Sequence, residues 1–321
     1  MISLVEIRNK LLANDNVIII CHVSPDGDTL GSGLALYKFL KNLGKKNVEI
    51  VCDDANYTKL AFLQDGIELK SDLDNDVYDL AIAVDVASGE RMGESRRFYY
   101  RAKDRFAIDH HQTNDFKSAE LYLVAGASST AEIMYDVLSY VADYAIDKSV
   151  ANCLYAGILT DSGAFYFQST TSHTHEVLSK LYNYKIDANK IYYELFKKKE
   201  KGVFLLHSIV LSRAKFILGD KIAVLTFKKE DFESTCTDFS ATEGCINRVQ
   251  DVDSVIIAIS IAEVGDNSFK VSFRSKGECD VSICASRFGG GGHKNAAGCR
   301  ISGNYYDVYD KVTRVAREAI C

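Results

Sequence analysis

The first half of this chain alternates short apolar runs with helical patterns, and that alternation constrains its fold more than any other feature. Asn16–Cys21 (NVIIIC) reads as a buried strand. Val48–Cys52 and Asp79–Val84 (DLAIAV) share that character, and Phe106–Ile108 is a shorter run of the same kind. Between them, Leu30, Leu34, Tyr37 and Leu40 recur at helical spacing within Thr29–Leu43. Ser128–Val141 reads as a further helix with Ser128 or Ser129 as its N-cap. Ala151–Thr160 is apolar throughout, and periodicity does not separate helix from strand there. Strands separated by helices imply an α/β domain with a largely parallel sheet.

The texture changes after a Lys-, Tyr- and Leu-rich stretch, Asp187–Ser212, whose KKKEK run at 197–201 reads as the solvated face of a helical connector. Beyond it, Lys221–Phe227, Ser254–Ala262 and Phe269–Arg274 read as strands. Val281–Phe288 fits a short helix, and Tyr305–Ala319 an amphipathic one. At 321 residues the chain has room for two domains. The expected division is an N-terminal catalytic domain over 1–185, a connector over 186–200 and a smaller α/β domain over 201–321, with a cleft between the domains.

Composition narrows the function. The first apolar run, Val17–Cys21, is too short for a signal peptide, and no stretch approaches the roughly 20 apolar residues of a membrane helix. A cytoplasmic protein with no membrane partner is expected. The nine cysteines are scattered, odd in number and without a CxxC pair, which fits reduced core thiols and not a zinc ribbon. A net charge of −6 argues against tight binding to long nucleic acid, but not against a short anionic substrate held by metals and local cations.

The only proline, Pro25, sits in CHVSPDGDTLGS, where a strand ends, a tight turn follows and a helix begins. His22, Asp26 and Asp28 therefore project from one strand-to-helix loop at the carboxyl edge of a parallel sheet, where open α/β folds bind ligands. Gly31 and Gly33 let that helix pack closely. Asp85 follows LAIAV, Asp109-His110-His111 follows FAI, and Asp161 follows AGILT. Taken singly, each has an ordinary reading: Asp26 or Asp28 as a turn or N-cap residue, Asp161-Ser162-Gly163 as a turn, the histidines as surface residues. Taken together, they gather several carboxylates and imidazoles at one edge. Such carboxylates would repel and raise each other's pKa unless divalent cations intervened. An oxygen-rich set with imidazole and no thiolate favours Mn²⁺, then Mg²⁺, Fe²⁺ or Co²⁺, over structural zinc.

These segments resemble the DHH phosphoesterase family, through HVSPDGD, Asp85, the Asp109-His110-His111 triplet and Asp161. The resemblance extends to the C-terminal half, because Phe288–His293 (FGGGGH) and Arg274-Ser275 are similar to a DHH-associated domain. The compact form looks like the NrnA-type oligoribonucleases and 3′-phosphoadenosine-5′-phosphate (pAp) phosphatases. The resemblance implies one metal on His22, Asp26 and Asp85, and a second on Asp28, Asp85, His110 and Asp161, with Asp85 bridging. It also implies that His111 faces the substrate phosphate. Asp109 is expected to orient a histidine, since ligating imidazoles commonly have their other nitrogen fixed by a carboxylate or carbonyl.

The expected enzyme is a Mn²⁺-dependent phosphoesterase that hydrolyses short oligoribonucleotides to mononucleotides and pAp to AMP. A metal pair supplies an activated water and polarises the phosphoryl oxygens, and a positioned acid such as His111 assists the leaving group. Gly289, Gly290, Gly291 and Gly292 would bring backbone N–H groups to a phosphate, with Arg274, Ser275, His293 and Lys294 adding polar or charged contacts. Linear pApA and cyclic di-AMP are alternative substrates that the motifs do not separate. An inorganic pyrophosphatase or a RecJ-like nuclease fits less well, and a nucleotide sensor without turnover is the alternative of another class. Oligomeric state stays open, leaving room for a homodimer.

Overall fold

The computed structural model describes residues 1–53, 60–73, 77–114 and 120–320. They form two compact units, Met1–Lys198 and Lys199 onward.

In the first unit the strands are β1 (Asn16–Ile20), β2 (Asn47–Val51), β3 (Leu80–Val84), β4 (Asp104–Asp109) and β5 (Leu121–Leu123). They pair in the order β2-β1-β3-β4-β5, all parallel. The helices are α1 (Leu4–Ala13), α2 (Gly27–Asn42), α3 (Ala61–Gln64), α4 (Arg96–Arg101), α5 (Thr130–Ala142), α6 (Lys148–Asp161), α7 (Ser172–Tyr182) and α8 (Ala188–Tyr192). Apolar residues feed both faces of the sheet. Val17, Ile19, Leu80, Ile82 and Val84 join the core with α2, α5 and α6, while Ile18, Ile20, Ala81 and Ala83 join a smaller core with Phe98 and Tyr99. Burial on both faces explains why these strands read as continuous apolar runs. From β1 the chain moves to β2 on one side, and later to β3 on the other. The strand order therefore reverses at β1, and a crevice opens at the carboxyl ends of β1 and β3.

Ala151–Thr160 is helical, within α6. Its periodicity was uninformative because the helix is surrounded: nine of its residues, from Val150 to Leu159, are buried. Glycines, Gly27, Gly31 and Gly157 among them, let α6 approach its neighbours. A Cβ on Gly31 of α2 would stand 2.7 Å from the Cys153 carbonyl oxygen, and one on Gly157 would stand 2.6 Å from the Ala131 methyl of α5. Three helices thus close on one point, and that point carries Asp28.

The expected connector, 186–200, holds α8 and a π turn at Tyr193–Lys197, and α9 (Lys201–Ser212) follows at the start of the second unit. The second unit continues with β6 (Lys215–Ile217), β7 (Ile222–Phe227), α10 (Lys229–Thr235), α11 (Cys245–Gln250), β8 (Ile257–Gly265), β9 (Ser268–Ser275), α12 (Ser282–Ser286), β10 (Gly291–His293), β11 (Ala296–Ser302) and α13 (Tyr305–Ile320). Its sheet runs β10-β11-β9-β8-β7-β6, with only β7 and β8 parallel. All eight described cysteines are free, and six are buried, as reduced core thiols would be. No helix among the described residues is long and apolar enough to cross a membrane.

Gly31→Ala tests the close helix contact. The added methyl meets backbone atoms that cannot swing away, so stability should fall by about 1–3 kcal/mol in urea unfolding. An unchanged midpoint would contradict the packing described.

Candidate metal centre

The crevice at β1 and β3 is lined by the residues that the sequence brought into question. His22 lies just past β1, and its imidazole is buried. Its amide donates to Thr29 Oγ1 (3.3 Å), and Thr29 Oγ1 donates to the Val84 carbonyl (3.1 Å). The loop after β1 is thereby tied to the end of β3, which delivers Asp85. Asp85 is buried and holds φ at 60°, a left-handed conformation unusual for a residue with a side chain. Strain of this kind is concentrated at functional sites.

Asp26 does two things at once. Its Oδ1 caps α2, accepting from the amides of Asp28 (3.0 Å) and Thr29 (3.1 Å), while Oδ2 faces His22 Nε2 at 3.7 Å. The ordinary N-cap reading and the ligand reading therefore describe one side chain. Asp28 points into the first turn of α5, where it accepts from Thr130 N (2.6 Å) and Ala131 N (2.8 Å). A helix N-terminus is a favourable place for a buried negative charge. Thr130 Oγ1 also donates to Asp85 Oδ1 (2.8 Å).

The two imidazoles expected as ligands are oriented alike. His22 Nδ1 lies 2.8 Å from the Val23 carbonyl, and His110 Nδ1 lies 3.1 Å from the Ala127 carbonyl. Each ring then offers Nε2 to the carboxylates. His22 Nε2 is 3.5 Å from Asp85 Oδ2; His110 Nε2 is 3.7 Å from Asp85 Oδ1 and 3.4 Å from Asp161 Oδ2. Asp161 reaches the group from the last residue of α6. Among the described residues, three sets have ligand atoms mutually within 4.8 Å: His22, Asp26 and Asp85; Asp28, His110 and Asp161; and Asp85, His110 and His111.

His111 is set apart. Its Nδ1 sits 2.8 Å from Asp109 Oδ1, its side chain is 42% exposed, and Asp109 is fully buried. Asp109 also accepts from the His111 amide and from Asn114 Nδ2, which donates to the Val86 carbonyl as well. The hydrogen bond to Asp109 raises the His111 pKa against the effect of burial. Burial acts to raise the Asp109 pKa, but the bonds from His111 and Asn114 hold it below the ordinary carboxylate value.

Charge is the unresolved element of the cluster. None of Asp26, Asp28, Asp85 or Asp161 pairs with a lysine or arginine among the described residues. Burial, then the charges of Asp85, Asp161 and Asp26, pushes Asp28 well above the ordinary carboxylate range. Burial and the charges of Asp85 and Asp26 lift Asp161 to about 6 against the pull of His110. Burial alone would lower the pKa of His22; Asp26 and Asp85 outweigh it and lift it to about 9. The cluster holds protons where cations would relieve the same repulsion, and its donors are the hard oxygens and imidazoles that suit divalent ions.

In the second unit the glycine run is part of a β-hairpin. The amides of Gly289 and Gly290 close α12 by donating to the carbonyls of Ser286 and Ala285 (both 3.0 Å). Gly291, Gly292 and His293 form β10, an exposed edge strand paired with β11. Ser275 is buried, with Oγ donating to the Cys279 carbonyl (2.6 Å) and accepting from Asn295 Nδ2 (3.0 Å). Lys294 pairs with Glu278. Arg274 is half-buried, donates to the Phe273 carbonyl (3.1 Å), and meets no carboxylate among the described residues.

The DHH family N-terminal domain matches residues 16–158, and the DHHA1 domain matches residues 236–320, well over half the chain between them. This chain belongs to the DHH family. Every candidate ligand of the DHH chain except Asp161 falls within the first match, and Asp161 lies just past it. Relatives include the bifunctional oligoribonuclease and PAP phosphatase NrnA of Bacillus subtilis, 27% identical over 305 residues and covering 92% of each chain. The Thermus thermophilus protein of the same name is 29% identical over 311 residues, covering 95% of this chain and 90% of its own. The crystal structure of an exopolyphosphatase-related protein from Bacteroides fragilis has the same fold, with a TM-score of 0.86 at 24% identity over 98% of this chain and 94% of that one.

Metal binding should be linked to protons. With Asp161 lifted to about 6 and His22 to about 9, a cation entering at pH 7 must displace the His22 proton. Affinity for Mn²⁺ should fall as pH drops below about 9, where His22 takes up its proton, and more steeply below about 6, where Asp161 does. Calorimetry in buffers of different ionisation enthalpy reads both effects, and metal uptake without proton release would refute this charge balance.

Proposed function

We propose that this chain is a two-metal phosphoesterase that hydrolyses short oligoribonucleotides to mononucleotides and pAp to AMP, with Mn²⁺ as its working metal. One observation carries the two-metal reading. The two oxygens of Asp85 face different imidazoles, Oδ2 toward His22 and Oδ1 toward His110. A carboxylate so placed can bridge two cations. His22, Asp26 and Asp85 would hold one, and Asp28, Asp85, His110 and Asp161 the other. Bound there, the pair would activate water and polarise a phosphoryl group.

The remaining roles belong to the protein. Asp109 fixes the His111 ring through Nδ1 and favours its charged form, so His111 presents Nε2 as a donor to a phosphate oxygen or a leaving group. Asn114 holds Asp109 in place. Substrate recognition is proposed for Arg274, His293 and Lys294 with the glycines of β10, where exposed backbone and the Arg274 guanidinium, which meets no carboxylate among the described residues, suit a nucleotide phosphate. The names of the relatives, oligoribonuclease and PAP phosphatase, support this substrate class.

The test is a substrate panel with Mn²⁺ and a chelator control: RNA of two to five nucleotides, pAp, cyclic di-AMP, pyrophosphate and long single-stranded DNA. Short RNA and pAp should be hydrolysed, and Asp85→Ala should lose turnover by orders of magnitude while keeping its fold. Failure to hydrolyse any substrate would overturn the enzymatic reading in favour of a sensor.

A further inference from the structure

Arg91 stands at the rim of the metal centre, and no motif singled it out. It lies in a 3₁₀ segment, Gly89–Ser95, that follows β3. The segment is fixed at several points. The Arg91 carbonyl accepts from Val23 N (2.8 Å), Met92 is fully buried, and Asp53 accepts from the amides of Glu94 and Ser95. The Arg91 side chain is exposed, and its Nη2 lies 3.0 Å from His22 Nδ1.

That contact competes with another. His22 Nδ1 is also 2.8 Å from the Val23 carbonyl. One ring nitrogen carries either a proton or a lone pair, so it cannot donate to Val23 and accept from Arg91 together. A His22 that ligates metal through Nε2 keeps its proton on Nδ1 and gives it to Val23. Arg91 is then left facing a donor. Four carboxylates gather at this centre, yet among the described residues none forms an ion pair with Arg91. A guanidinium pinned by its backbone beside the cluster, exposed and without an anionic partner, is suited to an anion that arrives from solvent.

We propose that Arg91 anchors the substrate: its guanidinium leaves the His22 ring and binds the non-bridging oxygens of the phosphate brought to the metal centre. Arginine matches phosphate with two parallel N–H donors, which lysine does not. The ligand class is a phosphate monoester or diester, and the inference rests on the metal-centre reading above. Arg91 does not ligate metal, so its loss should weaken phosphate binding and leave metal binding intact.

The experiment compares wild type with Arg91→Gln and Arg91→Lys in three measurements. These are Mn²⁺ affinity by calorimetry, AMP and inorganic phosphate affinity for the Mn²⁺-loaded protein, and kcat and KM for an RNA dinucleotide. In Arg91→Gln, Mn²⁺ affinity should stay within about twofold, while AMP affinity weakens and KM rises by about 10- to 100-fold, the range of a charged hydrogen bond. Arg91→Lys should recover part of the loss. A fall in Mn²⁺ affinity with unchanged AMP affinity would make Arg91 a prop for His22 and overturn the proposal, as would no change in any measurement. If wild type hydrolyses nothing, the phosphoesterase reading fails, while AMP and phosphate binding still decide the role of Arg91.

Discussion

Negative charge gathered at one edge of a parallel sheet is the constraint around which the first unit is arranged. Burial, and then the nearness of Asp28, Asp85 and Asp161 to one another, raises the proton affinity of Asp28 and Asp161. The protein offsets this only in part. The N-terminus of α5 holds Asp28 with two amides, Thr130 adds a hydroxyl to Asp85, and Asp26 is drawn to the start of α2. No lysine or arginine completes the neutralisation among the described residues, which leaves the balance to ions from outside the chain.

The fold serves that arrangement at some cost in stability. Asp85 adopts a left-handed backbone so that both its oxygens reach the imidazoles. Close contacts at Gly31 and Gly157 bring α2, α5 and α6 to the same point, with Asp28 Oδ1 only 3.1 Å from where a Cβ on Gly157 would sit. Replacing either glycine would disturb the carboxylates together with the core, so packing and ligand geometry are linked. His111 and Asp109 lie beside this group with their own hydrogen bonds.

Much of this was legible in the sequence because burial on both faces leaves an apolar run that ends where the chain leaves the sheet. His22, Asp85 and the 109–111 triplet all follow such runs, and the structure brings them together. Asp161 was placed with them although its run is a helix, because a helix surrounded by core loses its periodicity just as a buried strand does. The glycine run reads in the sequence as a phosphate cradle; in the structure it closes α12 and forms an edge strand, a use that composition alone does not reveal. Thr130, Asn114 and Arg91 escaped notice because their importance arises from tertiary contacts: a helix start meeting Asp28, an amide meeting Asp109, a 3₁₀ segment lying beside His22. The nearest local signals were the hydroxyl run Ser128-Ser129-Thr130 and the asparagine that follows the triplet closely.

The central claim is a pair of cations bridged by Asp85. Electron paramagnetic resonance of the Mn²⁺-loaded protein tests it directly, because ions about 3.5–4 Å apart are magnetically coupled. The expected result is two Mn²⁺ per chain with an exchange-coupled spectrum that Asp85→Asn abolishes. A single Mn²⁺ per chain with the six-line signal of an isolated ion would contradict it.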